Sequence, residues 1–251
     1  MLKWFVMRRL RILPLGVSLL CAVLAAQMAA RDPRYIAPCL LIALLTLIPP
    51  FLARRRMRRL LMSGDVERIL GSWGSSIKRV MYPETMAPLM AATAYAAYGW
   101  IEASRSALSR AVKGPAWDAA LEQRLFVETL LDTFEGDRLG AIEKAEALEK
   151  MPLPSNGWMA RRKVALLRAG IAALARAFAH QSRLDDERLL KSAAKASPLI
   201  YWAMRYAAAV IAIDEGRRHE VPALLEGAPT WPEESAYRAF HDELFAKAAV
   251  G

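Results

Sequence analysis

The sequence predicts an all-α protein, built as a two-helix transmembrane hairpin followed by an antiparallel helix-pair array. Three observations predict it. The first 59 residues hold two uncharged apolar runs. From Ser63 onward Ala, Leu, Arg and Glu dominate, and these are strong helix formers. Pro and Gly then punctuate stretches of 12 to 25 residues with helical apolar spacing. A hydrophobic content of 55% beside 24% charged residues fits a greasy segment joined to an ordinary polar domain.

The apolar runs cover residues 12–30 and 35–53, each of 19 uncharged residues, with only Arg31–Asp32–Pro33–Arg34 between them. Each reaches the roughly 18 residues needed for a spanning helix. The intervening proline suits a tight turn between antiparallel helices. Basic residues crowd the outer flanks, most densely at Arg54, Arg55, Arg56, Arg58 and Arg59. The positive-inside rule therefore places both termini in the cytoplasm and makes a multi-pass protein of the cytoplasmic (inner) membrane of a bacterial cell. The arginine run then rests on anionic headgroups, at about 1 kcal/mol of attraction per charge. The alternative makes the first run a cleaved signal peptide, since it has a basic leader and small residues at "AAQMAA". The second run would still anchor the chain. Pro49-Pro50 is expected to kink or end the second helix. Cys21 and Cys39 both lie within the apolar runs and form no metal-ligand or disulfide pattern with the rest.

A net charge of +10 first suggests nucleic acid. Eleven of the 35 basic residues and one of the 25 acidic residues lie in residues 1–59, which leaves 24 of each sign beyond them. The domain carries no net charge, so the basic surface that phosphates require is not implied.

Residues 60–83 read as a juxtamembrane linker helix and 84–251 as the helical domain. In "WDAALEQRLFVETLLDTF", Ala120, Leu121, Leu125, Thr129 and Leu130 share a stripe. In "AIEKAEALEKM", Ile142, Ala145, Leu148 and Met151 do. Ser63, Ser155 and Thr230 are candidate helix caps. "EESAYRAFHDELFAKAAV" reads as a closing helix, with Ala236, Phe240, Leu244 and Phe245 covering the last pair. Trp100, Trp117 and Trp158 fall near helix ends and are expected to staple helices together.

An internal pattern emerges around three glycines. After Gly99 come Ser104, Leu108 and Ala111. After Gly136, at the same offsets, come Ala141, Ala145 and Leu148, and after Gly216 come Val221, Leu225 and Ala228. Each segment then meets a Pro-containing loop. A fourth, degenerate unit at "HQSRLDDERLLKSAAKASP" has no turn glycine. The pattern resembles the tetratricopeptide repeat family, best in "YAAYGWIEASRSALSRAVKGP" and "TFEGDRLGAIEKAEALEKMPLP". The 37-residue spacing from Gly99 to Gly136 exceeds that family's unit, and its first-helix signature is poorly kept. The resemblance implies a right-handed superhelix from about Glu84 to Val250, with a concave face for a peptide or partner protein.

No metal-binding, phosphate-binding or nucleophile motif occurs, so no cofactor, metal or catalytic residue is assigned and a non-enzyme is expected. Asp185-Asp186-Glu187 reads as a helix start complementing the dipole. Arg161, Arg168 and Arg176 give one helix a basic, solvated character. Tyr201, Trp202, Arg205 and Tyr206 form an aromatic-arginine cluster of a kind enriched at interfaces, with core packing as the competing reading. Tyr201, Trp202, Arg205, Tyr206, Arg161 and Arg168 are therefore the partner-binding candidates. The expected function is a membrane-anchored adaptor or scaffold for a protein partner, with hetero- or homo-oligomers possible. The alternative is an accessory subunit whose hairpin packs with other spans.

Overall fold

The computed structural model describes Gln27 and residues 36–77, 79–155 and 157–249. Among the described residues every regular element is helical. The chain divides into two units, residues 1–59 and 60–251. Apart from Gln27, the run at 12–30 lies outside the described residues, as do most side chains of the run at 35–53. Among the described residues no helix is long and apolar enough to cross a membrane. Helix α1, Ile36–Met62, continues through Pro49-Pro50, so the expected helix end there is not found. Its five arginines at 54–59 are exposed.

The second unit begins with the last turn of α1 and with α2, Val66–Ile77. Asp65 caps α2, its Oδ1 accepting the Arg68 amide at 3.0 Å, so the cap is Asp65 and not Ser63. Val66 and Ile69 lie in the main core, so this segment belongs to the domain instead of linking to it. The helices that follow are α3 (Pro83–Ala97), α4 (Ile101–Ser109), the short α5 (Pro115–Ala119), α6 (Leu121–Glu135), α7 (Arg138–Lys150), α8 (Trp158–Phe178), α9 (Asp186–Ala196), α10 (Tyr201–Asp214), the single-turn α11 (Val221–Leu224) and α12 (Ala236–Ala249). Helices α3/α4, α6/α7 and α8/α9 pack as sequential pairs, and α10 packs on α11. Along one side α3 meets α6, α6 meets α8 and α8 meets α10.

Four turns of one kind connect the two helices of each pair. The amide of Trp100 donates to the Tyr95 carbonyl, Asp137 to Asp132, Gln181 to Arg176 and Arg217 to Ala212, at 2.7–2.9 Å. This bond, spanning five residues, satisfies carbonyls that a helix end leaves unpaired. The turn residue must then be left-handed. It is Gly99 (φ 74°), Gly136 (φ 88°) and Gly216 (φ 75°), and in the third turn it is His180 (φ 57°). The pair without a turn glycine thus uses a histidine in the same slot, and pays the left-handed cost of a side-chain-bearing residue, about 1–2 kcal/mol.

Small residues let the helices close on one another. Of the residues expected at the shared offsets, Ser104, Ala111, Ala141, Ala145, Leu148, Val221 and Leu225 are buried, while Leu108 and Ala228 are half-buried. Ser104 Oγ donates to the Ala92 carbonyl across α3 and α4 at 2.9 Å. Gly170 is the tightest crossing, because a Cβ placed there would lie 2.5 Å from the Ala193 Cβ of α9.

Helix α12 takes a different course from the one expected. Its entry is fixed on the end of α3: the Ala236 amide donates to the Gly99 carbonyl at 2.9 Å, Ser235 Oγ to the Tyr98 carbonyl at 2.7 Å and Tyr237 Oη to the Ala97 carbonyl at 3.0 Å. Ser235 also accepts the Tyr237 amide at 3.2 Å, so it caps the helix where Thr230 was expected to. Phe240 packs against Phe134 of α6 and Phe178 of α8, with ring centroids 5.9 and 5.2 Å apart. Phe245, expected inside, is partly exposed. Helix α12 therefore spans the C-terminal ends of α3, α6 and α8 as well as touching the last pair, because its aromatic face matches aromatics that those ends supply.

Candidate functional site

The aromatic cluster sits at the centre of the unit. Trp202 and Tyr206 are buried. Trp202 Nε1 donates to the Met62 carbonyl at 2.9 Å, and Tyr98 Oη donates to the Leu61 carbonyl. The last carbonyls of α1 are thereby satisfied by side chains. Trp231 Nε1 donates to Tyr206 Oη at 2.7 Å, and Tyr206 Oη lies 3.0 Å from His241 Nδ1. Tyr206 stacks on Tyr237 with centroids 4.8 Å apart. Burial pushes the phenols of Tyr98, Tyr206 and Tyr237 above their ordinary range. Trp202 and Tyr206 are thus core residues, and only Tyr201 and Arg205 of that cluster reach the surface. Arg205 stays local, over the Tyr201 ring at 5.5 Å and donating to the Ala223 carbonyl at 2.8 Å.

The solvated face expected for Arg168 and Arg176 is not found either, since both are buried. Arg176 grips Asp186 with two bonds of 2.9 and 2.6 Å. Burial pushes the Asp186 carboxyl up, but the Arg176 guanidinium and the Arg183 amide outweigh it and hold the carboxyl below its ordinary value. Arg168 Nε donates to Glu122 at 2.9 Å, while Nη1 and Nη2 donate to the carbonyls of Met151 and Pro152 at 2.5 and 3.3 Å. The loop after α7 brings those carbonyls to α8, and no sequence pattern announces it.

Above the Arg168–Glu122 pair lies an open groove of about 700 Å³. Met86 of α3, Ala119 of α5, Phe126 of α6, and Val164 and Leu167 of α8 line it, with Met81 and Tyr82 at one edge. Several of its polar groups are paired within the protein. Gln123 Nε2 donates to Thr93 Oγ1 at 3.1 Å, and Thr93 Oγ1 donates to the Leu89 carbonyl at 2.7 Å. The volume falls in the range of about 300–1,000 Å³ typical of ligand sites.

The start of α8 immediately precedes the lining residue Val164. Gly157 supplies no side-chain cap, and the first turn has no acid. Trp158 and Met159 are about 70% exposed, so Trp158 staples nothing. Arg161, Arg162 and Lys163 follow, all exposed, and none forms an ion pair among the described residues. Arg161 lies one turn from Val164 and two from Arg168, on the groove-facing side of the helix.

A second, smaller cavity of about 230 Å³ lies beside the third turn, between Phe178, Phe240 and Leu244. His180 Nδ1 is 2.9 Å from both Asp214 oxygens at its edge. Among the described residues no group of three or more His, Cys, Asp or Glu side chains is placed to hold a metal.

Against protein-family models, curated proteins and solved structures, the chain finds no match. The resemblance to tetratricopeptide repeats therefore rests on the residue pattern alone.

Proposed function

We propose that this chain is a membrane-anchored adaptor whose helical unit holds a protein partner. The open apolar groove of about 700 Å³ carries this reading, because contiguous apolar surface left uncovered marks an interaction site. The anchor rests on the sequence: uncharged residues 35–53 followed by the arginine run, which together favour the cytoplasmic membrane with both termini inside. A topology map tests the anchor, with one reporter fused at Gly251 and another inserted at Asp32. A cytoplasmic signal at Gly251 and an external one at Asp32 are expected. An external Gly251 refutes the topology and with it a cytosolic partner. Sizing in native detergent separates the adaptor from an accessory subunit: a stoichiometric complex that depends on residues 1–59 would favour the latter.

A further inference from the structure

We infer that the groove between α3, α5, α6 and α8 receives an amphipathic helix of a partner protein with acidic residues along one edge. The inference rests on the adaptor reading and deepens it by naming the partner's chemistry. Two independent features carry it.

The first is what the groove leaves unoffered. Arg168 is bonded to Glu122 and two loop carbonyls, and Gln123 to Thr93. The groove therefore presents mainly apolar side chains, with the half-exposed Glu122 keeping one carboxylate oxygen free of Arg168. An extended segment laid there would bury backbone amides and carbonyls without partners, at a cost that disfavours binding. A helix satisfies its own backbone and can bury residues at i, i+3, i+4 and i+7 against Met86, Phe126 and Leu167.

The second is charge. The start of α8 carries the positive end of the helix dipole, yet its first turn holds no acid and Arg161, Arg162 and Lys163 follow. These cations repel the helix end and one another, and among the described residues no carboxylate relieves them. Arg161 and Lys163 lie one turn before the lining residues Val164 and Leu167, within reach of the carboxylates of a docked helix. The concave shape argues against a flat bilayer surface as the occupant.

The test uses the full chain in nanodiscs of zwitterionic lipid. A labelled synthetic helix of about 18 residues, five turns, carries Leu on one face and Glu elsewhere, and a matched peptide replaces Glu with Lys. Fluorescence anisotropy should show the Glu peptide binding at least about tenfold tighter, with the preference weakening as salt rises. The exposed triple variant R161E/R162E/K163E should invert the preference, and Ala119→Trp, which fills the groove from an exposed position, should remove both. Equal binding of the two peptides, or no inversion, overturns the inference. So does displacement of the Glu peptide by phosphatidylglycerol added to the nanodisc, which would assign the groove to lipid. A photo-cross-linker placed at Ala119 and, separately, at Glu234, an exposed residue beside the open cavity between α4 and the start of α12, distinguishes the two readings in cells. Adducts from Glu234 alone overturn the groove inference and leave the adaptor standing. Adducts from neither overturn both. An adduct from Ala119 that maps to an acidic amphipathic helix supports the inference.

Discussion

Replacing Gly170 with alanine sets two effects of opposite sign against each other. Alanine is favoured over glycine inside a helix by about 1 kcal/mol. The new methyl, however, would stand 2.5 Å from the Ala193 Cβ of α9, where carbon atoms prefer about 3.5–4.0 Å. Neither Cβ has a rotamer with which to escape, so α8 and α9 must separate by about 1 Å, opening the contacts around Leu190, Ala194 and Met204. Overpacking of this kind costs about 1–3 kcal/mol, and a clash between two backbone-fixed carbons belongs at the upper end. The net expectation is a loss of about 2 kcal/mol, or about 4–8 °C in Tm for a unit of this size. Circular dichroism melting of the purified chain measures it. The decisive control adds Ala193→Gly, which reopens the space. The double variant should recover at least about 1 kcal/mol relative to the sum of the single losses. A Gly170→Ala chain as stable as the parent, or additive behaviour in the cycle, refutes the close-crossing argument.

His180→Gly should be neutral or stabilising by up to about 1 kcal/mol in urea unfolding, since it relieves a left-handed side chain at the cost of a largely exposed pair with Asp214. His180→Val should lose about 1–2 kcal/mol in the same assay, because a β-branched residue tolerates that conformation least. Tyr206→Phe keeps the stack on Tyr237 but leaves the Trp231 indole N–H without its acceptor, so about 1–3 kcal/mol should vanish from the unfolding free energy. Asp186 gives a pH signature. Its folded carboxyl is held below the ordinary value of 3.8, so its contribution is full above that value and is lost as the pH falls through the lower, folded one. The urea midpoint should fall as the medium is acidified below about pH 4, and Asp186→Asn should flatten part of that slope while costing about 3–5 kcal/mol at neutral pH. An unchanged slope in that variant would mean that other carboxylates set the acid limit.

Much of the fold was legible because turn chemistry and helix crossings leave marks in the chain. Gly99, Gly136 and Gly216 stood out since a left-handed residue is usually glycine, and seven of the nine small or apolar residues expected after them are buried, Leu108 and Ala228 being half-buried. The third turn was hidden because His180 fills the slot without that signature. Apolar spacing showed that α12 had a face to bury, but spacing cannot say against what, and its true neighbours lie more than 100 residues away at the end of α3. Arg168 read as a surface cation because its acceptors, the carbonyls of Met151 and Pro152, are backbone atoms that any sequence carries. The groove was illegible for a related reason. Met86, Ala119, Phe126 and Leu167 come from four helices, and each alone looks like ordinary core. At the start of α8 the basic, solvated character expected of Arg161 was legible, whereas the cap was not: Ser155 was the candidate, and Gly157 holds that position without a side-chain cap.

The seam between Ser235 and the Tyr98 carbonyl joins residues 137 positions apart. Stacked helix pairs that touch only their neighbours fray from the outside inward, losing one unit at a time. Here the pair that would loosen first is tied to the last helix, and Phe240 braces two more pairs from within. The unit gains cooperativity from this closure: it should melt in a single transition and should not tolerate loss of α12. Synthesis carries the corresponding delay, because the first pair cannot complete its contacts until residues 235–237 have left the ribosome.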